Sequence, residues 1–372
     1  MTPLYEVADV LRRNHHQLGK LTLNSWQARA LYAIEICRTA KLGWHIDKCT
    51  NPECRHIHIS YNSCRNRHCP KCQGHKQEEW IQQREKELIK VPYYHVVFTL
   101  PVELNVYALS KPEMLYNLLF KIAWSVISDF AANPKFLGAK TGMIAILHTW
   151  GQNLSLHPHL HCIVPGGGCS GKKWKYAKGK NKYLFPVKAM SKVFRARFVN
   201  ALRKITGIGH TISGKLFGKN WVVYCKQPFY GAPQVVEYLG RYTHKIALSN
   251  HRLISIDNGM VTFWAKDYRH GGKRYQLKLS DAEFIRRFAL HILPKGFTRI
   301  RHYGILSSSL KKNILPQIEQ QIGKVILPAR KEIKHKQCPV CRIGRLVTIF
   351  TFNSRGPPPE TALMLKLAAC KM

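Results

Sequence analysis

The stretch "HPHLHCIVPGGG", residues 157–168, determines the fold predicted for the middle of the chain. Side chains alternate between the two faces of a β-strand, so His157, His159 and His161 would share one face. Neighbouring imidazoles repel each other when charged and lose solvation when buried. A bound metal ion is one explanation, because neutral imidazole is the commonest protein metal ligand. The other is a strand end with one satisfied buried histidine and two solvated ones.

Segments rich in apolar, β-branched and aromatic residues predict further strands over 93–101, 142–152 and 220–229. Only a short link separates the second of these from the histidine strand, so the two are expected to pair antiparallel. Amphipathic helices are predicted over 112–134 and 189–205. Strands mixed with helices, including an antiparallel pair, favour an α+β fold over a doubly wound parallel sheet.

Capping and turn residues predict the elements on either side of this region. One helix is expected over 24–43, and another over 232–248 with a proline near its first turn. The Asp-Asn-Gly tripeptide at 257–259 separates two strand-like segments and predicts a tight hairpin. Ser280 and Glu283 stand in the S-x-x-E spacing of a capping box and predict that a helix begins there.

The charge of the chain is strongly unbalanced, with 59 Lys and Arg residues against 20 Asp and Glu and a formal net charge of +39. Such an excess repels itself and implies a polyanionic partner. Nucleic acid is the first candidate and an anionic membrane surface the second. No apolar run is long enough to span a bilayer, and the first residues lack the apolar core of a secretory signal. We therefore expect an intracellular protein whose thiols stay reduced.

Cysteines are concentrated between residues 49 and 72. The CPKC tetrapeptide that ends this stretch has the spacing of a zinc knuckle, and an earlier pair provides a second half. Five cysteines in so short a stretch disfavour unligated buried thiols, although His68 is an alternative ligand. The sequence therefore predicts one structural zinc site, whose ligands are drawn from Cys49, Cys54, Cys64, Cys69 and Cys72.

A further CxxC pair, Cys338 and Cys341, is half of another such site. No second pair lies near it in the sequence, and Cys370 and His335 are candidate third and fourth ligands. A turn that binds no metal is the alternative.

Tyr238 and Tyr242 stand four residues apart, so on a helix they would share a face, with their Cβ atoms about 5–6 Å apart. Two aromatic residues on a core stripe are the simple explanation. The surrounding sequence is basic, however, and a phenol can attack a phosphodiester when a metal ion polarises the phosphoryl oxygen. The products would be a phosphotyrosine bond and a free hydroxyl. Two tyrosines allow two successive strand cleavages.

Four sequence blocks in order resemble the two-tyrosine rolling-circle transposases of bacterial insertion sequences, which belong to the HUH endonuclease superfamily. The blocks are "SCRNRHCPKC" (63–72), "HPHLHCIVPGG" (157–167), "YLGRYTHK" (238–245) and "EFIRRFALHILPKGFTRIRHYG" (283–304). The resemblance implies an α+β fold: an antiparallel-sheet HUH domain with flanking helices, preceded by a small helical zinc-binding domain. It also implies a bacterial cytoplasmic protein associated with the nucleoid.

The resemblance assigns His159 and His161 to a catalytic divalent ion, Mg or Mn. A third protein ligand usually completes such a site. Gln152 is favoured because an oxygen donor suits Mg better than a third imidazole does. His157 and His148 are its rivals.

The resemblance also makes Tyr238 and Tyr242 the paired nucleophiles that cut and rejoin single-stranded DNA at element ends through a 5′-phosphotyrosine intermediate. The partner is therefore DNA, as single-stranded element ends and target, with no membrane. Basic residues within the matching blocks are the candidate DNA contacts: Arg65, Arg67, Lys71, Arg241, Lys245, Arg299 and Arg301.

Three domains are expected. Residues 1–92 form a helical, zinc-binding and DNA-contacting domain, 93–310 form the catalytic domain, and 311–372 are a basic segment with the second CxxC pair and a tail without order. Two other functions stay open: a non-catalytic zinc-containing nucleic-acid-binding regulator, and a replication or mobilisation relaxase of the same superfamily. A zinc hydrolase is disfavoured, because no nearby Glu would supply its base.

Overall fold

The computed structural model describes residues 3–72, 87–178, 184–229, 235, 246–325 and 337–355. The helices of this part are α1 (Val7–Arg13), α2 (Ser25–Glu35), α3 (Asn105–Ser110), α4 (Pro112–Ala132), α5 (Val187–Thr206), α6 (His210–Phe217), α7 (Asp281–Ala289) and α8 (Lys311–Ile322). Short 3₁₀ turns cover His15–Lys20, Ala40–Leu42, Val102–Leu104, Asn250–Arg252 and Tyr268–His270.

The strands are β1 (Trp44–Cys49), β2 (Ile57–Tyr61), β3 (Tyr93–Thr99), β4 (Gly142–Trp150), β5 (Leu156–Pro165), β6 (Gly167–Ser170), β7 (Lys173–Tyr176), β8 (Val223–Phe229), β9 (Leu253–Asp257), β10 (Met260–Asp267), β11 (Lys273–Ser280), β12 (Ile300–Gly304) and β13 (Leu346–Phe352). The three strands predicted around the histidine stretch are present as β3, β4 and β8, and the stretch itself forms β5.

A five-stranded sheet in the order β12-β4-β5-β3-β8 occupies the middle of the molecule, and every neighbouring pair is antiparallel. The histidine strand β5 is therefore the central strand, paired with β4 on one side and β3 on the other. Helices α4 and α5 lie along the sheet as predicted. The mixture of helices and antiparallel strands confirms the α+β class.

Both faces of this sheet are covered by packed side chains. One face packs against α4 and α5 through a large apolar core that includes Phe98, Leu147 and Leu160, each fully buried. The other face packs against α8 and Val235 through Ile146 and its neighbours. Because His159 and His161 alternate with Leu160 along β5, they belong to this second face.

A second apolar core lies around the N-terminal helices. Helices α1 and α2 pack against α7 and the β9–β11 hairpins in one apolar core. The predicted tight turn is present, with φ values of +45° at Asn258 and +71° at Gly259. The predicted cap is present as well, since the Ser280 hydroxyl accepts from the Glu283 N–H at 3.3 Å. Both features confirm turn chemistry that short sequence motifs dictate.

The helix predicted over 24–43 is shorter than expected. Helix α2 ends at Glu35, and a 3₁₀ turn leads to Gly43, whose φ is +75°. A side chain at Gly43 would overlap the carbonyl of Phe352, because a Cβ there would lie 2.1 Å from that oxygen. The glycine thus permits the close approach of two segments at opposite ends of the chain.

The C-terminal strand β13 pairs antiparallel with β1, and β2 completes a three-stranded sheet in the order β13-β1-β2. The segments 1–92 and 311–372, which the sequence predicts as separate domains, therefore share one sheet, because residues 346–352 pair with residues 44–49. The sequence could not reveal this, since the paired residues of β1 and β13 are about three hundred positions apart. The predicted helix over 232–248 and the tail beyond 355 lie almost entirely outside the described residues.

No helix of the described part is long and apolar enough to cross a membrane.

Candidate metal centres

Three histidines converge on one face of the central sheet. His148 on β4 lies opposite His159 on β5 in the strand register, and His161 follows two residues later on the same face. Each offers a ring nitrogen, and these three atoms lie within 4.8 Å of one another. The Nε2 atoms of His159 and His161 are 3.1 Å apart. Two ligand atoms about 2.1 Å from one metal ion lie roughly 3.0–3.4 Å apart, so the spacing suits a shared ion.

Hydrogen bonds orient two of the three rings. The Nδ1 atom of His159 lies 2.6 Å from the carbonyl oxygen of His157. Because a carbonyl can only accept, Nδ1 must donate, which leaves the Nε2 lone pair of His159 available. His161 Nδ1 lies 2.9 Å from Nε2 of His95, and these two rings stack with their centroids 5.1 Å apart. Metal-binding histidines are usually oriented in this way through their second nitrogen.

The three rings are not equally accessible to solvent. His148 and His161 are buried and His159 is half-buried. The indole of Trp150 stacks on His148 at 4.6 Å, and Arg299 lies over Trp150 at 5.7 Å. The cluster therefore has a closed, partly apolar side and one side open to a ligand at His159.

The residue that lies beside His159 and His161 is His148, whereas the sequence analysis favoured Gln152 as the third ligand. That residue lies beyond the end of β4, in the turn of the β4–β5 hairpin, where its carbonyl accepts a hydrogen bond from Arg252 at 2.5 Å. His157 is exposed and contributes its carbonyl oxygen to the ring of His159. His148 occupies the neighbouring position instead, because the antiparallel register of β4 and β5 aligns it with His159. His95 was not predicted, and a lone histidine in the apolar run 93–99 was its only sequence signal.

The donor set of this centre is three imidazole rings. Imidazole nitrogens bind divalent transition-metal ions, whereas Mg²⁺ prefers oxygen ligands. The residues present therefore fit a divalent cation.

Tyr238, Tyr242, Arg241 and Lys245 lie outside the described residues. Val235 is described, and it is fully buried on the histidine face of the sheet, in the cluster that contains Ile144, Ile146 and Ile163.

Four cysteines form the first thiol cluster, and they are Cys37, Cys64, Cys69 and Cys72. The Sγ atom of Cys72 lies 3.6 Å from that of Cys37 and 3.7 Å from that of Cys64. Thiolate is the form that binds zinc, so the cluster is suited to a structural zinc ion.

The composition of this cluster corrects the single site predicted from the sequence. Cys37, at the end of the first helical region, completes it, whereas Cys49 and Cys54 lie elsewhere. His68 is not a member either, since its Nε2 atom accepts a hydrogen bond from the backbone N–H of Leu293 at 3.3 Å. Burial is the main cause that lowers the pKa of His68 to about 3, so the ring is neutral.

A second thiol cluster contains Cys49, Cys54, Cys338 and Cys341. The two candidate partners named for the CPVC pair, Cys370 and His335, lie outside the described residues. The sequence shows no second pair near the CPVC pair, and the structure brings Cys49 and Cys54 to it because β13 pairs with β1.

Four of the predicted DNA contacts are engaged within the protein. Arg67 donates to the carbonyls of Pro294 and Phe297 at 2.8 and 2.5 Å, and Lys71 pairs with Glu6 at 2.5 Å. The other two are arginines that stack on aromatic rings: Arg299 on Trp150 and Arg301 on Phe120. These side chains stabilise contacts between segments, and the geometry gives no support to direct phosphate contact by them. Arg65 is exposed.

Comparison with known proteins identifies the class to which this fold and these centres belong. The family model described as "Putative transposase" matches residues 142–313, and the model described as "Transposase zinc-binding domain" matches residues 10–100. The first match thus covers β4, β5 and all three histidines of the centre, and the second match covers the whole first thiol cluster. No solved structure matches the chain.

Two curated relatives extend the match to nearly the whole chain. "Putative transposase y4qJ" of Sinorhizobium fredii (strain NBRC 101917 / NGR234) is 40% identical over 95% of this chain and 97% of its own length. "Transposase for insertion sequence element IS801" of Pseudomonas savastanoi pv. phaseolicola is 27% identical over 82% of this chain and 77% of its own length. The chain belongs to this family of insertion-sequence transposases with a zinc-binding domain.

Proposed function

We propose that this chain is a DNA strand transferase that cuts and rejoins single-stranded DNA at the ends of an insertion sequence, with Tyr238 and Tyr242 as nucleophiles. The observation that carries the proposal is the convergence of His148, His159 and His161 on the central strand of the sheet, within the segment that matches the transposase family. An activity on DNA agrees with the formal net charge of +39.

The reaction is a transesterification at phosphorus. The phenolic oxygen of one tyrosine forms a bond to the phosphorus, and the bond from phosphorus to the 3′ oxygen of the neighbouring nucleotide breaks. The phenol gives up its proton to solvent, and the departing 3′ oxygen takes one up. One strand end is then a 5′-phosphotyrosine and the other a free 3′ hydroxyl, which can attack the phosphotyrosine in the reverse reaction.

A phenol with a pKa near 10 is a weak nucleophile at neutral pH. A divalent ion held by His148, His159 and His161 would supply charge stabilisation at the phosphoryl oxygen. The protein's own contribution is to orient these rings, through the His157 carbonyl and His95, and to exclude water on the side of Trp150.

Val235 supports placing the tyrosines beside this centre. It is buried against the same sheet face as the histidines, and it precedes Tyr238 by three residues and Tyr242 by seven. On the helix that the sequence predicts here, residues at i, i+3 and i+7 share one face. Both phenols would then lie on the side of the segment that faces the sheet.

The test combines purified protein with single-stranded DNA from the ends of its own element, labelled at the 3′ end, in the presence of Mn²⁺. We expect a DNA–protein adduct that survives SDS and disappears with chelator. Tyr238→Phe and Tyr242→Phe should each lose one cleavage step, whereas Tyr32→Phe on α2, an exposed tyrosine, serves as the matched control and should retain both.

Full adduct formation by the Tyr238→Phe, Tyr242→Phe double variant would overturn the assignment. DNA binding without an adduct on every end tested would instead support the regulator. A replication or mobilisation relaxase would form the same adduct, and the match to a transposase zinc-binding domain is what favours the transposase.

A further inference from the structure

We propose that Cys49, Cys54, Cys338 and Cys341 hold a second structural zinc ion, which joins the C-terminal segment to the N-terminal domain. This site lies outside the catalytic centre and does not depend on the proposed function. Only half of its ligands fall within the residues that match the transposase zinc-binding domain.

The distances between the sulfur atoms fit one tetrahedral ion. The Sγ atoms of Cys49 and Cys341 are 3.6 Å apart, those of Cys54 and Cys338 are 3.8 Å apart, and all four lie within 4.8 Å of one another. Four sulfurs each about 2.3 Å from zinc form a tetrahedron with edges of about 3.8 Å. Disulfide bonds would require sulfur atoms about 2.05 Å apart, and all four cysteines are free.

The backbone around the sulfurs has the form of two zinc knuckles. The N–H of Asn51 points to the Sγ atom of Cys49 at 3.4 Å, and the N–H of Gly344 points to that of Cys341 at 3.3 Å. Such bonds to sulfur stabilise the thiolate form that binds metal. A side chain at Gly344 would collide with the site, because its Cβ would lie 2.4 Å from the Sγ atom of Cys49. Glycine is therefore required where the second knuckle meets the first.

Contacts independent of the cysteines hold the two knuckles together. The backbone of Thr50 donates to the carbonyl of Arg345 at 2.8 Å, and the Thr50 hydroxyl accepts from the Arg345 N–H at 2.9 Å. Further along, the Asn62 side chain donates to the carbonyl of Phe352 at 2.7 Å. The four sulfurs are thus brought together by the pairing of β13 with β1. A chance approach of two loops would not produce these regular contacts.

The first thiol cluster provides an internal comparison. Its sulfur–sulfur distances of 3.6 and 3.7 Å match those of the second cluster, and it lies entirely within the residues that match a zinc-binding domain. Two clusters with the same composition and spacing indicate the same ion. Basic residues flank the second cluster at Lys48, Arg342 and Arg345 in the sequence, and they offset the net charge of −2 on a zinc ion with four thiolates.

Because β13 follows the catalytic region in the chain, the sheet β13-β1-β2 can be completed only after that region has been synthesised. We expect loss of this ion to release residues 337–355 while the first zinc ion stays bound.

The experiment counts zinc per chain by mass spectrometry of the metal in purified full-length protein. The count is made in a His159→Ala, His161→Ala background, so that the histidine centre contributes no zinc. We expect two zinc ions in this background and one after the further changes Cys338→Ser and Cys341→Ser. Cys169→Ser, at a half-buried cysteine outside both clusters, is the matched control and should keep two.

A second measurement covers the case in which the double serine variant fails to fold. The protein with its cysteines unchanged is treated with increasing chelator and an alkylating reagent, and the labelled cysteines are mapped. We expect Cys338 and Cys341 to become reactive together with Cys49 and Cys54. The proposal is overturned if the serine variant keeps two zinc ions, or if Cys338 and Cys341 are labelled while Cys49 and Cys54 stay protected.

Discussion

At the scale of single residues, the histidine centre shows both the reach and the limit of sequence patterns. The alternation of His159 with His161 was enough to predict two side chains on one face, because strand geometry has a fixed period of two. The third member could not be chosen from the sequence, since it depends on which residue of β4 lies opposite His159. The register aligns His148, and a shift by one residue would have turned that ring to the other face.

The choice between His148 and Gln152 as the third ligand can be tested directly. We predict that His148→Ala abolishes Mn²⁺-dependent cleavage, because only two imidazoles would remain. Gln152→Ala, a change in the hairpin turn beyond the end of β4, should retain most of it. Metal affinity measured by titration calorimetry should fall at least about tenfold in the first variant and little in the second. The opposite order would show that Gln152 is the ligand.

Glu283 allows a prediction of pH dependence at the residue scale. Hydrogen bonds from Arg286, followed by those from Arg287, lower the pKa of this carboxyl to about 2. A carboxyl whose pKa is lowered by folding stabilises the folded state above its unfolded pKa, near 4.3, and that stabilisation is lost as the pH falls towards about 2.

Glu283→Gln should therefore unfold at lower urea concentration than the unchanged protein at pH 7. The difference between the two should shrink steadily below about pH 4. Glu319→Gln, at a half-buried glutamate of α8 that forms no ion pair with the residues the structure describes, is the control. An equal difference between Glu283→Gln and the parent at both ends of this pH range would show that the two arginines do not stabilise the carboxylate.

At the scale of elements, local signals predicted six of the thirteen described strands, four of them in the five-stranded sheet, and the cap at Ser280, because period and turn chemistry depend on neighbouring residues. They failed for the thiol clusters. Cys54 and Cys338 are 284 residues apart, so no spacing rule could pair them. The sequence instead grouped Cys49 and Cys54 with Cys69 and Cys72, which are close in the chain but belong to another cluster.

Gly43 tests the contact between the ends of the chain. Its φ of +75° and the 2.1 Å approach of a Cβ to the Phe352 carbonyl mean that Gly43→Ala cannot be accommodated with β13 in place. We predict a loss of stability of about 1–3 kcal/mol, measured by urea unfolding, and faster proteolysis after residue 336. Gly19→Ala, where a Cβ would meet no atom within 4 Å, is the matched control. Equal stability of the two variants would contradict the described contact.

At the scale of the whole molecule, the central sheet, the N-terminal region and the loop before β12 are connected by direct contacts. The central sheet presents the histidines on one face. The first thiol cluster belongs to the apolar core that joins α1 and α2 to α7, and Arg67 joins that region to the loop before β12. Several arginines predicted to contact DNA hold these parts together instead. The net charge alone could predict a polyanionic partner, but it could not say which basic residues face outward.

The proposed reaction attaches Tyr238 or Tyr242 covalently to DNA. The most direct measurement is mass spectrometry of the adduct after nuclease and trypsin digestion. Cleavage after Arg241 separates Tyr238, in peptide 227–241, from Tyr242, in peptide 242–245. We predict a nucleotide phosphate on one or both of these tyrosines, and only in the presence of a divalent ion. A phosphate attached to any other residue, or a cleaved strand with no attached peptide, would contradict it.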